Sequence, residues 1–276
     1  MKPGCTARSN PRMAIRTIFS MVEDCARGER EGWSDFIRDY APIARRLLLH
    51  YFPSLQPEIE QHVKGVFQRA RVGDDAWFRT LRFTNEREFL LSFRELVFAY
   101  AREQAPLPSP PVSIEQMHEV MKDLSVVERE LLWLIVKGYT SEQIAAMMMN
   151  AAATAQAVKT TADQKLAQIL PGANADYLRL SARALMEDAE RTKSDKCLSL
   201  KTFNNLINGQ ISWRERELAE EHIRECLNCI DRFTGFNEMI RLRKDAQPLL
   251  EAEGEPILEA LRLPKSKGFL AKLLAR

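Results

Sequence analysis

The chain has 276 residues, of which 45% are hydrophobic and 28% charged, and its formal net charge is +2. Its length suffices for two domains or three small ones, and the near-neutral charge excludes a global basic excess for binding nucleic acid. No run approaches the ~18 apolar residues of a membrane span, and the N-terminus lacks the apolar stretch of a signal peptide. We therefore expect a cytoplasmic protein, whose cysteines are metal ligands or free thiols.

The residue pattern predicts an all-α protein. Glycine is scarce, at 11 residues, and alternating β-branched runs are absent. After a loose start at 1–12, apolar residues recur at helical spacing up to residue 104. The longest stripe runs from Trp33 to Tyr51 before Pro53, and Pro42 either kinks this helix or begins a second one.

Four prolines between Pro106 and Pro111 predict an extended linker, because a helix cannot continue through them. Pro171-Gly172 predicts a second interruption of the helical pattern. The end of the chain mixes basic and apolar residues, as in a weak membrane anchor, a frayed tail or a partner-binding helix. The predicted segments are a first helical domain at 13–104, a linker at 105–112, a middle helical domain at 113–170, a helical connector at 171–196, a cysteine-bearing domain at 197–242 and a helical tail at 243–276.

Cysteine and histidine cluster near the C-terminus. His222, Cys226 and Cys229 have the spacing His-x3-Cys-x2-Cys, and Cys197 lies upstream. In one helix, His222 and Cys226 share a face and Cys229 continues the stripe, so we expect three ligands to converge. Four such ligands are typical of a structural zinc site without an open position, which predicts one Zn²⁺. The alternative is three buried free cysteines beside a solvent-facing histidine.

The middle domain carries a recognisable motif. It reads LSVVERELLWL at 124–134 and GYTSEQIA at 138–145, and it resembles the helix-turn-helix of the promoter-reading fourth region of extracytoplasmic-function (ECF) sigma factors. Thr140 or Ser141 can cap a helix, and Gly138 can close the preceding one. The resemblance implies RNA polymerase core and promoter DNA as partners.

The same resemblance predicts a recognition helix from Thr154 to Leu166. Only Lys159 and Lys165 are cationic there, so we expect weak promoter binding, because phosphate contacts supply much of the affinity for DNA. The positions that are basic in the family are Gln156, Val158, Thr161 and Asp163 in this chain. The candidate DNA contacts are Thr154, Gln156, Lys159 and Lys165.

The first domain resembles the second region of ECF sigma factors in its layout over residues 33–104. The acidic run with which the family grips the polymerase is replaced here by Gln61, His62, Lys64 and Gly65. The aromatic residues of the last helix either stack on unpaired bases or form a core at helical spacing. These aromatic residues are Phe93, Phe98 and Tyr100.

The cysteine-bearing domain resembles the zinc-binding anti-sigma domain over residues 197–240. Asn208-Gly209 supplies a left-handed turn, Ser212 and Glu215 form a capping box, and His-x3-Cys-x2-Cys follows. In that family the module wraps a partner sigma factor. The resemblance therefore implies a fused tail that acts on its own sigma-like domains or on another protein.

Two function hypotheses follow. The first is a sigma-factor-like regulator of transcription initiation with a cis-acting zinc-binding domain. The second is a degenerate sigma-like scaffold that binds a protein partner and no longer reads promoter DNA. The chain has neither a G-x-x-x-x-G-K nor a G-x-S-x-G motif, and we do not expect an enzyme.

Overall fold

The structure, a computed structural model, describes residues 17–72, 77–105, 112–148 and 151–263, with the backbone alone at 175–181. Over these ranges the chain forms fourteen α-helices and one 3-10 helix, and no strand, which confirms the all-α prediction. The predicted loose start, the prolines of the linker and the amphipathic end of the tail lie outside the described residues.

The first segment, which we predicted to be a helical domain, packs around aromatic side chains. Phe36 contacts the rings of Trp33, Phe67 and Phe93 at centroid distances of 5.0 to 6.0 Å. Phe93 and Phe98 are buried in this core, so the alternative that these two rings stack on unpaired bases is wrong. Tyr100 is half-buried. The helices are α1 (Ile18–Ala26), α2 (Arg30–Tyr51), α3 (Ile59–Arg71), α4 (Trp77–Thr80) and α5 (Glu86–Gln104), with the 3-10 helix at Pro53–Glu58.

Helix α2 runs without interruption through Pro42. Proline has no N–H, so the carbonyl of Arg38, four residues earlier, loses its helical partner. That carbonyl instead accepts a hydrogen bond from Leu249 N at 2.9 Å. The proline thereby creates an attachment point for the chain that leads into the last described helix.

In its described residues the middle segment consists of four helices, and the turn between the second and third begins at Gly138. Gly138 adopts a left-handed φ of +90° after the first long helix. Thr140 Oγ1 then accepts from Gln143 N at 3.3 Å, which caps the next helix as expected. The helices are α6 (Ile114–Met121), α7 (Val126–Val136), α8 (Ser141–Met148) and α9 (Ala152–Ile169).

The C-terminal part of the chain also follows the predicted turns. Gly209 is left-handed, with φ +65°, and Ser212 with Glu215 forms the capping box. The helices are α10 (Ala175–Arg191), α11 (Leu200–Asn208), α12 (Trp213–Glu225), α13 (Leu227–Asp245) and α14 (Glu251–Ala260).

Helix α13 lies at the centre of the molecule. It packs against α2 and α5 of the first segment, against α7 and α8 of the middle segment, and against α10 and α12. Buried residues occur on all of its faces, including the polar Asp231, Thr234 and Glu238. One continuous hydrophobic core therefore joins the segments.

Candidate metal centre

The four predicted metal ligands come together. Cys197, His222, Cys226 and Cys229 offer ligand atoms that all lie within 4.8 Å of one another. The Sγ atoms of Cys197 and Cys226 are 3.8 Å apart, and His222 Nε2 is 3.2 Å from Cys229 Sγ. Two thiolates on a tetrahedral Zn²⁺, with Zn–S bonds of about 2.3 Å, lie about 3.8 Å apart. These four residues, called the metal cluster below, could hold a metal ion with four side-chain ligands.

The ligands do not share one helix face, and that prediction was wrong. Helix α12 ends at Glu225 and α13 begins at Leu227, with Cys226 between them in an extended conformation, φ −108° and ψ 102°. His222 lies in the last turn of α12, whereas Cys229 lies in the first turn of α13. The cluster forms where two helix ends meet, and Cys197 joins it from the chain before α11.

Arg129 of α7 stabilises the break between α12 and α13. Its Nη1 donates to the carbonyl of Arg224, one of the last carbonyls of α12, which have no partner within their helix. Its Nε and Nη2 donate to the carbonyls of Leu124 and Lys122, at 2.9 and 2.8 Å. The buried guanidinium thus ties the end of α12, beside the metal cluster, to the middle segment. Sequence reasoning missed this role, although the residue stands in the ERE stretch of the sigma-like motif.

N–H groups surround the sulfur atoms. Ser194 N donates to Cys197 Sγ at 3.3 Å, Leu198 N donates to Cys229 Sγ at 3.4 Å, and Asn228 Nδ2 donates to Cys197 Sγ at 3.3 Å. Such bonds stabilise thiolate charge and orient metal ligands. Asn228 was not among the predicted site residues, because its role depends on where the helix breaks.

The thiols differ in their affinity for protons. A hydrogen bond from Cys229 lowers the pKa of the Cys226 thiol to about 5. Donation of that bond, together with burial, raises the pKa of Cys229. The pair therefore retains a proton without a cation, and metal binding is expected to release it.

A second polar cluster, the ion-pair network, lies further along α13. Asp231 Oδ2 pairs with Arg94 Nη1 at 3.2 Å, and Asp231 Oδ1 pairs with Lys137 Nζ at 2.9 Å and accepts from Trp133 Nε1 at 3.0 Å. Glu238 Oε2 pairs with Arg94 Nε at 3.2 Å. The network joins α5, α7 and α13.

Two tyrosines complete the network. The hydroxyls of Tyr51 and Tyr139 both donate to Glu238 Oε1. Burial, followed by the charge of Glu238, raises the pKa of both phenols, so they remain donors. Burial alone would raise the pKa of Asp231, but the charges of Arg94 and Lys137 outweigh it and lower that pKa. The sequence contains no short motif for this network, because its members are far apart in the chain.

The candidate DNA contacts lie on α9, and both cations are paired within the chain. Lys159 Nζ lies 3.2 Å from Asp163, and Lys165 Nζ lies 3.0 Å from Asp123. Thr154 is half-buried, and Gln156 is exposed within 3.4 Å of Ser141 Oγ. Val158, a position that is basic in the family, is 3% exposed and belongs to the core.

No protein-family model, no curated protein and no solved structure matches this chain. Among the described helices, none combines the length and apolar character needed to cross a membrane. A function must therefore be inferred from the residues and their arrangement.

Proposed function

We propose that this protein is a sigma-factor-like regulator of transcription initiation whose C-terminal segment, residues 197–242, acts in cis. The position of α13 carries the proposal. This helix carries Cys229 of the cluster in its first turn, and it packs against α5 of the first segment and α7 and α8 of the middle segment. The first and middle segments are the ones expected to contact RNA polymerase core and promoter DNA. A helix buried between them can keep those surfaces closed in the cytoplasm until it is displaced.

We propose Zn²⁺ as the metal. Three thiolates and one imidazole at tetrahedral spacing are the donor set of structural zinc sites, and complete ligation excludes a role as a catalytic metal. The ion would join the chain before α11 to the meeting point of α12 and α13. When bound, it supplies structural stability by fixing these three chain segments.

Metal content tests this assignment. The double variant Cys226→Ser/Cys229→Ser should lose about one zinc per chain, because two ligands cannot retain a structural ion. Cys25→Ala is the control, since Cys25 is buried as Cys229 is but belongs to α1. Elemental analysis of the purified proteins measures both variants. Unchanged zinc content in the double variant would contradict the assignment.

A second candidate function is a scaffold that binds a protein partner without reading DNA. The specific observation in its favour is the charge of α9, whose Lys159 and Lys165 are each paired with a carboxylate of the same chain. Paired cations release fewer counterions from DNA, so this helix should contribute little to affinity. The missing acidic run at the polymerase-gripping positions points the same way.

Binding to core RNA polymerase distinguishes the two candidates. The zinc-loaded chain and the Cys226→Ser/Cys229→Ser variant would each be titrated against labelled core enzyme. Cis regulation predicts that the variant binds tighter by about 5- to 150-fold, the range of typical coupling between sites. Cys25→Ala should bind as the unaltered chain does. Absence of binding by every form would favour the scaffold.

A further inference from the structure

The ion-pair network separates its charges by chain segment. Both carboxylates, Asp231 and Glu238, belong to α13, whereas the cations Arg94 and Lys137 belong to α5 and to the end of α7. The side chains of Lys137 and Glu238 are 0% exposed, and that of Arg94 is 6% exposed. Two positive and two negative charges therefore balance in the interior, and the balance exists only while the three segments remain together.

The spacing along α13 suits this arrangement. Asp231 and Glu238 are seven residues apart, so they lie two turns apart on the same face. Between them, Thr234 Oγ1 accepts from Lys137 Nζ at 2.8 Å. Gly235 lies close to Arg94, because a Cβ there would be in van der Waals contact with the guanidinium carbon at 3.4 Å. The face of α13 is thus complementary to the cations in charge and in shape.

We propose that Arg94 and Lys137, with the donors Tyr51, Tyr139 and Trp133, form a docking surface whose occupant is α13 of the same chain. Asp231 and Glu238 act as a latch that holds the first and middle segments together. The inference rests on the proposed function, because it names the contact through which the C-terminal segment would keep the sigma-like segments closed.

Charge balance predicts an unusual pattern of mutational effects. Lys137→Met leaves one cation facing two carboxylates, and Asp231→Asn leaves two cations facing one carboxylate. Each single change buries an uncompensated charge, which is strongly unfavourable in a low-dielectric interior. The double variant Lys137→Met/Asp231→Asn retains Arg94 opposite Glu238 and is balanced again. The double variant should therefore weaken the latch less than either single variant does.

Amide hydrogen exchange of the zinc-loaded full chain, read by mass spectrometry, tests the latch. We expect each single variant to speed exchange in α13 and the facing parts of α5 and α7 by about 100-fold, and the double variant by less than about 10-fold. Asp245→Asn is the control, since Asp245 forms an ion pair with Arg241 on the same helix, with both side chains more than a third exposed. It should exchange as the unaltered chain does.

A milder pair of variants keeps the test decisive if a single variant fails to fold. Tyr51→Phe and Tyr139→Phe each remove one hydrogen bond to Glu238 Oε1 without changing a charge, and the latch requires their effects on exchange to be non-additive. Additive effects in both cycles, or single variants that exchange as the unaltered chain does, would overturn the latch. Loss of zinc from Lys137→Met would also overturn the latch, because the faster amide exchange would then be caused by loss of the metal. RNA polymerase is absent from these measurements, so failure of the proposed function leaves their outcome unaffected.

Discussion

Glu130 shows how one buried carboxyl can give the protein a pH dependence. It lies on α7, is 6% exposed, and its pKa is raised from 4.5 to about 8, by burial and then by the charge of Glu220. The folded chain therefore binds this proton more tightly than the unfolded chain. The corresponding stability is complete below pH 4.5 and is lost as the pH rises toward 8.

Replacement of Glu130 by glutamine should remove that dependence. We expect Glu130→Gln to be more stable than the unaltered chain at pH 9, by about 1 to 3 kcal/mol, with a smaller difference at pH 5. Urea unfolding at both pH values measures this. Glu128→Gln provides a contrast of opposite sign, because a hydrogen bond from Ser125 lowers the pKa of Glu128. A Glu130→Gln variant with an unchanged pH profile would contradict the prediction.

Asn228 donates a hydrogen bond to Cys197 Sγ, one of the four candidate metal ligands. We expect Asn228→Ala to weaken metal affinity by about 10-fold, the lower end of the effect of removing a hydrogen bond to a metal ligand. Competition with a chromogenic chelator measures the affinity. Asn237→Ala is a matched control, because Asn237 lies on the same helix and donates to the sulfur of Met148. Equal affinities of the two variants would assign Asn228 no role in metal binding.

At the scale of elements, α12 and α13 show that residue spacing alone does not predict where a helix ends. His-x3-Cys-x2-Cys fits the face of one helix, yet the chain breaks at Cys226. At the break, Arg129 of another helix donates a hydrogen bond to the carbonyl of Arg224. Periodicity within a segment carries no information on such a distant hydrogen bond. The four candidate ligands were predictable from their residue types, whereas the way they converge was not.

Helix α9 provides a test of the helix-turn-helix interpretation. Gln156 and Thr161 are exposed, whereas Val158 is buried and would disrupt the core if it were changed to arginine. We expect Gln156→Arg/Thr161→Arg to raise non-specific DNA affinity and to steepen its salt dependence by up to about 2 in slope, since each new phosphate contact releases counterions. Fluorescence anisotropy at several salt concentrations measures both quantities.

The control for α9 is the same change of charge elsewhere on the surface. Gln56 and Gln210 are exposed and lie outside the middle segment. If Gln56→Arg/Gln210→Arg raises the affinity for DNA as much as the α9 variant does, then α9 is not the face that DNA approaches. A larger effect of the α9 variant would support a retained DNA-binding surface.

At the scale of the whole molecule, the continuous core predicts cooperative unfolding. Trp33 lies in the first segment and Trp133 in the middle segment, and both are buried in the same hydrophobic cluster. We expect a single thermal transition of the zinc-loaded protein, with tryptophan fluorescence and far-ultraviolet circular dichroism changing together. Two separated transitions would show that the segments unfold independently and that α13 contributes little to their association.

The sequence by itself determined the helical class, the capped turns around Gly138 and Gly209, and the residues that could bind a metal. These features depend on neighbouring residues, whose spacing and capping chemistry are visible in the chain. Only the tertiary structure decided that Val158 is core and that Asp231 and Glu238 meet Arg94 and Lys137. Those contacts join residues about one hundred positions apart or more, and packing of helices from different segments brings them together.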